Sequence, residues 1–158
     1  MEDAVEELAD RALSSVQDKG PTLPHRHVIG IAGVPGGGKS TLATAVCGCI
    51  NKLAGNEVAV NVPMDGFHYY RRELDSMPDP SEAHKRRGAP WTFNVEAYVG
   101  CLKQAKFQVT LSTFAPSFDH GIGDPKEKAI EIHKNHTIIL TEGNYVLLGK
   151  LRLLRVCL

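Results

Sequence analysis

The segment Gly33-Val34-Pro35-Gly36-Gly37-Gly38-Lys39-Ser40 constrains this chain more than any other stretch. It fits the pattern G-x-x-x-x-G-K-[ST], and it sits between the two elements that pattern requires. Before it runs His27-Val28-Ile29-Gly30-Ile31-Ala32, a short continuous apolar segment of the kind a fully buried parallel strand shows. After it, Leu42, Ala45, Val46, Cys49, Ile50 and Leu53 fall on one face of a helix that Gly55-Asn56 ends. Glycines let backbone N–H groups curl round an anion without Cβ clashes, and the positive end of the helix points at it. Lys39 can reach the β- and γ-phosphates as a mobile charge, the Ser40 hydroxyl can ligate Mg²⁺, and Thr41 adds a donor near the α-phosphate. The segment reads as a nucleoside triphosphate site.

A second β-rich run, Glu57 to Val62, follows and is ended by Pro63. Strand, loop, helix and strand make a βαβ unit, whose crossover implies a parallel sheet. The strands expected to flank the phosphate-loop strand each lead into an acid. Val60-Asn61-Val62-Pro63-Met64 leads into Asp65, and the β-branched run Thr137 to Thr141 leads into Glu142. In an open α/β sheet the carboxyl ends of the strands gather around one crevice. Both carboxylates are therefore expected near the loop, one to accept a proton from a substrate hydroxyl, the other to hold Mg²⁺ or its waters. Taken alone, Asp65 before Gly66 also suits a turn, and Glu142 a solvated strand end. Their order behind the phosphate loop favours the site.

Rival nucleotide readings fail on specific residues. The dinucleotide fingerprint G-x-G-x-x-G is missing from this turn. Asn51-Lys52-Leu53-Ala54 begins like a guanine-reading N-K-x-D, but it lacks the acid and lies on the loop's own helix. With Lys+Arg 18 against Asp+Glu 18 the chain lacks the basic footprint of a nucleic-acid binder. No apolar run approaches the roughly 20 residues of a bilayer span, so no membrane partner is expected. Cys47, Cys49, Cys101 and Cys157 form no C-x-x-C pair and no zinc spacing. The acidic start MEDAVEELAD is neither a secretory leader nor an Arg-rich transit peptide. The expectation is a reduced, soluble, cytoplasmic domain.

Around this centre, Val5, Leu8, Ala9, Ala12, Leu13 and Val16 mark an N-terminal amphipathic helix, followed by PTLPHRH as a linker. From Arg71 to Pro90 prolines and the charge cluster Glu82 to Arg87 show no period, which predicts a long loop or short-helix insertion. Asn94 is a good N-cap, with Phe93 and Tyr98 placed to staple across it. Phe107 to Phe114 reads as a strand, Pro116 to Pro125 as a turn-rich loop, and Lys126 to Lys134 as a short polar helix or turn.

The motifs GVPGGGKST (33–41), MDGFH (64–68), RRGAPWTFN (86–94), SFDHGIGDP (117–125) and EGNYVLL (142–148), in this order, resemble the phosphoribulokinase/uridine kinase group of P-loop kinases. That group includes the bacterial-type pantothenate kinases, and the likeness leans towards a uridine kinase-like branch. It implies a P-loop NTPase fold, a three-layer α/β/α domain with a parallel sheet, over residues 25–148. A helix and linker (1–24) would precede it and a divergent tail (149–158) would follow. It also implies ATP-dependent phosphorylation of an alcohol on a small-molecule acceptor, a nucleoside, sugar or pantothenate-like compound. Lys39, Asp65 and Glu142 would be catalytic, with Asp65 as general base and Glu142 in the Walker B-like position. Gly33 to Thr41 would hold ATP, and Ser40, Asp65 and Glu142 would surround Mg²⁺. On the acceptor side stand Phe118-Asp119-His120, with His68, Arg87 and Tyr145 as further contacts. For these last three the residues alone equally allow a loop histidine, a solvated cation and a packing aromatic.

The likeness stops after Leu148, where the chain reads GKLRLLRVCL. Members of the group continue with further strands, an arginine-bearing lid and adenine-flanking residues. The expectation is therefore a sheet incomplete at its C-terminal side, in a truncated kinase. Its open edge could be patched by the tail as a short helix, or could pair in a homo-oligomer. Without a lid arginine, nucleotide binding with weak phosphoryl transfer is expected, unless Arg71, Arg72, Arg86 or Arg87 substitutes. The alternative is a non-catalytic nucleotide-binding isoform that partners the full-length kinase.

Overall fold

In the computed structural model, which describes residues 2–17, 25–147 and 155–156, the apolar run forms strand β1 (His27–Ala32) and the helix after the glycines is α2 (Lys39–Ala54). Gly55, in the left-handed region, closes α2 by donating to the Lys52 carbonyl. Strand β2 (Ala59–Asn61) and strand β5 (Ile138–Gly143) complete the centre. β5 pairs in parallel with β1 from His27↔Ile138 to Ala32↔Gly143, and with β2 from Ala59↔Ile138 to Asn61↔Leu140. β5 thus lies between the other two, so β2 does not flank β1 as the sequence suggested. The crossover through α2 skips one position, and the wholly buried run IILTEG fills it.

The sheet is covered on both faces, as a parallel sheet must be. Ile29, Ile138 and Leu140 meet Val46 and Ile50 of α2, and Ala9 and Ala12 of α1 (Glu2–Gln17). On the other face Val28 and Ile139 pack with Phe67, Ala115, and Tyr98 and Leu102 of α5 (Val95–Phe107). The expected three layers are therefore present. Asn94 caps α5 by accepting from the Ala97 N–H at 2.9 Å. The region 71–90 holds two short helices, α3 (Arg71–Leu74) and α4 (Pro80–Lys85).

The hairpin is where sequence and structure part. Phe107 belongs to α5 rather than to a strand, because the Ala105 and Gln108 carbonyls at the helix end are claimed by Arg26 Nη1. The turn-rich loop and polar helix expected over 116–134 are instead strands β3 (Thr113–Asp119) and β4 (Asp124–Ile132), an antiparallel pair turning at 120–123. Both strands are edges, which is why Pro116 and Pro125 fit; the register shifts between Ala115 and Ser117.

Residues 18–24 of the expected linker and most of the tail lie outside the described residues. Arg26, at the linker's end, is instead 2% exposed. Residues Arg155–Val156 form strand β6, parallel to β1 beside Ile29 and Gly30, so this part of the tail meets the sheet edge as strand and not as helix. Cys47, Cys49 and Cys101 are free thiols. Among the described residues no helix is long and apolar enough to cross a membrane.

Candidate active site

The loop from Gly33 to Gly38 is exposed and leaves the carboxyl end of β1 for α2. Gly36 and Gly38 have φ of 73° and 76°, and Gly38 caps α2 without any side-chain partner for the helix amides. The N–H groups of Lys39, Ser40 and Thr41 precede the first helical bond, Leu42 N–H to the Gly38 carbonyl at 2.9 Å, and are the donors that a helix start offers an anion. The loop closes on itself at Val34, whose carbonyl accepts the Gly37 N–H at 3.1 Å and Lys39 Nζ at 2.8 Å.

Ser40 Oγ donates to Glu142 Oε1 at 2.9 Å. The β1–β5 register sets this distance: Glu142 lies beside Ile31, one residue from the strand end that feeds the loop. Glu142 is 4% exposed, and burial pushes its pKa up. The Ser40 hydrogen bond opposes that shift, the Asp65 charge adds to it, and the Lys39 charge opposes it. Asp65 sits in a 3₁₀ turn, Met64–Phe67, straight after β2. Gly66 is required there, since a Cβ would run into the Pro116 carbonyl group of β3.

His68 continues the line away from the phosphate loop. Its Nδ1 is 2.9 Å from the Asp65 carbonyl, which can only accept, so Nδ1 carries the proton. The ring lies between Phe93 and Phe118, with centroids at 3.9 and 4.9 Å. Burial lowers the His68 pKa; Asp65 pulls it back up, while Arg87 and His120 lower it further. Glu142 thus feels Lys39 and Asp65, and His68 feels Asp65, Arg87 and His120. Phe93, His68, Phe118 and His120 stack in turn, so these side chains make one aromatic row that begins beside the Asp65 carbonyl. Phe93 joins this row although the sequence reading gave it only a staple role.

Other acceptor candidates are engaged inside the chain. Arg87 donates through Nη1 to the Gly123 carbonyl, and through Nη2 to the Tyr69 carbonyl and Asp124 Oδ1, both at 2.9 Å. Its guanidinium also lies 5.5 Å from the Phe118 ring centre. Asp119 Oδ1 accepts the Gly121 and Ile122 amides and shapes the hairpin turn. Tyr145 donates to the Gly88 carbonyl at 2.9 Å and packs edge-on against Phe93. His120 is exposed and stacks edge-on against Phe118. A cavity of about 330 Å³ opens beside His68, lined also by Tyr70, Glu73, Phe114 and Glu127; none of the other acceptor candidates lines it.

Magnesium is the ion a triphosphate site implies, and the residues fit it. The Ser40 hydroxyl and the Glu142 and Asp65 carboxylates are an oxygen-only donor set, the kind Mg²⁺ selects. Among the described residues no cluster of three or more His, Cys, Asp or Glu could hold a metal alone.

A parallel sheet in the order β2-β5-β1-β6, with a glycine loop between β1 and α2 and an acid at the end of β5, defines a P-loop kinase fold. No protein-family model matches the chain. A Schizosaccharomyces pombe protein named as a candidate uridine kinase is 39% identical over 145 residues, covering 92% of this chain and 60% of that protein. The ATP-dependent kinase YFH7 of Saccharomyces cerevisiae is 35% identical over 127 residues, 62% of this chain and 36% of that protein. The crystal structure of YFH7, described as a P-loop kinase with a circular permutation, matches with a TM-score of 0.83 at 23% identity, covering 90% of this chain and 74% of that one; at that identity it speaks for the fold alone. A candidate fructose transport system kinase from Silicibacter sp. TM1040 matches with a TM-score of 0.73 at 31% identity, covering 89% of this chain and 64% of that one. The chain is thus similar to proteins named as uridine kinase-like and ATP-dependent kinases, on a P-loop kinase fold. It spans about three fifths of the S. pombe relative.

Proposed function

We propose that this chain carries the nucleotide site and the acceptor wall of an ATP-dependent kinase that phosphorylates an alcohol group on a nucleoside, sugar or pantothenate-like acceptor. The observation that carries the reading is the Ser40 to Glu142 contact at 2.9 Å, made on the strand with which β2, the strand leading into Asp65, is paired. Loop amides and Lys39 bind the phosphates, Lys39 exchanging the Val34 carbonyl for a phosphate oxygen. Magnesium, held by Ser40 and by Glu142 and Asp65 directly or through water, would neutralise and orient the β- and γ-phosphates. Asp65 takes the proton of the acceptor hydroxyl as its oxygen bonds the γ-phosphorus and the β–γ bridge opens. His68, Phe118 and His120 form the wall against which the acceptor lies.

A second reading, nucleotide binding without turnover, draws on the arginines. Arg72 lies 4.9 Å from the Tyr70 ring centre, Arg86 pairs with Glu82, and Arg87 pairs with Asp124. All three are engaged by neighbours within the chain. A cation on the transferred phosphate is worth a factor of about 10³ or more.

Thermal unfolding with and without Mg·ATP, followed by ADP release with uridine, D-fructose and pantothenate, tests both readings. Saturating ligand at about 100 times its Kd adds about 2.7 kcal/mol, a midpoint rise of several degrees. The kinase reading expects that rise to vanish in Lys39→Ala, and turnover with one acceptor to vanish in Asp65→Asn. A rise without turnover selects the second reading, and no rise rejects both.

A further inference from the structure

Behind the two acids runs a buried hydrogen-bond relay whose direction the chemistry fixes. Thr141 Oγ1 lies 2.7 Å from the Val62 carbonyl and 2.6 Å from the Tyr98 hydroxyl. A carbonyl only accepts, so the single Thr141 hydroxyl proton goes to Val62, and Tyr98 must donate to Thr141. Tyr98, Val62 and Thr141 are all 0% exposed.

The relay's position gives it meaning. Thr141 is the residue before Glu142, and Val62 lies three before Asp65. β2 and β5 are paired only as far as Asn61↔Leu140, with Val62 N–H donating to the Leu140 carbonyl at 2.8 Å. Beyond that the chain leaves β2 through Pro63, which has no N–H to give. The Thr141 hydroxyl therefore links the two strands at the level where their acids diverge.

Side chains alternate along β5, so Thr141 faces α5 with Ile139 while Glu142 turns to the α2 face and Ser40. Valine would fill the Thr141 position equally well; the hydroxyl is there for its two bonds. Tyr98 is itself held, its ring 5.1 Å from Phe67, and α5 starts with Asn94 N–H bonded to the Phe67 carbonyl at 2.8 Å. The same helix thus grips the Asp65 turn and, through Tyr98, the Glu142 strand.

We propose that Tyr98 and Thr141 are positioning residues that set the spacing of Asp65 and Glu142 and so tune how the site takes a divalent cation with its nucleotide. The proposal rests on the reading of Ser40, Asp65 and Glu142 as the magnesium-side groups. Partners behind a metal-holding shell typically change metal affinity by about 10–100-fold.

The test is ATP affinity by calorimetric titration, in Mg²⁺ and in EDTA, beside thermal unfolding in EDTA. Wild type binds ATP at least about tenfold more tightly with Mg²⁺ than in EDTA, on the scale that such groups set. In Thr141→Val and Tyr98→Phe that gain falls below about threefold, while affinity in EDTA stays within about twofold of wild type. Thr141→Ser, which keeps the hydroxyl and loses the methyl, melts earlier yet keeps the magnesium gain. If Thr141→Val fails to melt cooperatively, Tyr98→Phe and Thr141→Ser decide alone. A full magnesium gain in Tyr98→Phe, or its loss in Thr141→Ser to the same degree as in Thr141→Val, overturns the proposal in favour of plain packing. No magnesium gain in wild type overturns the underlying reading of the acids, and this inference with it.

Discussion

Arg87 Nη2 meets Asp124 Oδ1 at 2.9 Å, and the same carboxylate oxygen accepts the Arg71 amide at 2.9 Å. The pair joins the 71–90 segment to the hairpin and is only 16% and 24% exposed. Burial alone would raise the Asp124 pKa; the Arg71 amide and the Arg87 guanidinium outweigh it and hold it below the usual carboxylate range. Losing Arg87 also strands the Tyr69 and Gly123 carbonyls. Arg87→Met is expected to cost about 2 kcal/mol in urea unfolding. Asp124→Asn costs less, because an amide oxygen still accepts from both donors. The double variant is expected to fall short of the sum by about 1 kcal/mol. Strict additivity would show that the two residues act apart.

The opposite pole of the sheet is organised by Arg26. It donates to the His136, Ala105, Gln108 and His133 carbonyls, at 2.8, 2.5, 2.8 and 3.0 Å, and its own amide donates to the Lys106 carbonyl. One guanidinium thus caps the end of α5 and ties it to the turn before β5. Arg26→Met keeps the bulk and leaves these acceptors buried without donors. The expected loss exceeds about 3 kcal/mol, each such acceptor costing about 1–3 kcal/mol before relaxation. A loss under 1 kcal/mol by chemical denaturation would mean that water replaces the donors.

What the sequence made legible followed from period and spacing. β1, the glycine loop and α2 combine an apolar run, a fixed motif and a helical face, and each emerged where expected. The hairpin escaped because only Ala115, Ile130 and Ile132 along it reach the core. The remaining positions mix Thr113, Phe114, Ser117, Phe118 and Ala129 with charges and prolines, so alternation survives only over Ile130-Glu131-Ile132, too short a run to read. The Arg87–Asp124 pair spans 37 positions and leaves no local signal. Arg26 reads as linker because nothing beside it in sequence announces carbonyls that arrive from α5 and from the turn before β5. That Glu142 and Asp65 follow strands ending on the same side of the sheet as the glycine loop was legible, because the strands of a parallel sheet all point one way, whatever their order.

His136 gives the fold a dependence on pH. Its ring is buried, Nδ1 accepts the His133 amide at 3.0 Å, and burial lowers its pKa. The His133 and Arg26 charges lower it further, while Glu57 and Glu131 raise it. The unfolded chain therefore takes up this proton at a higher pH than the folded one. Its contribution to stability is whole above the ordinary histidine pKa of about 6.5, and is lost as pH falls below that value. His136→Asn offers an oxygen to the same amide but cannot take the proton. Wild type should lose stability between about pH 7 and pH 5 in a series of urea melts, and the variant should be flatter over the same window. Parallel slopes would assign the dependence to other groups.

At Gly66 a single added atom decides the arrangement. A Cβ there would lie 2.8 Å from the Pro116 carbonyl carbon and closer still to its oxygen, and both are backbone. The Asp65 turn and β3 would have to separate for alanine to fit. Gly66→Ala is expected to cost about 1–3 kcal/mol, in the range of an overfilled core. The phosphate loop lies on the other side of β5 and should be spared. Mg·ATP should therefore still raise the variant's unfolding midpoint, while any acceptor turnover falls, because Asp65 and the hairpin wall shift together. An unchanged midpoint and unchanged turnover would show that the hairpin docks loosely on this turn.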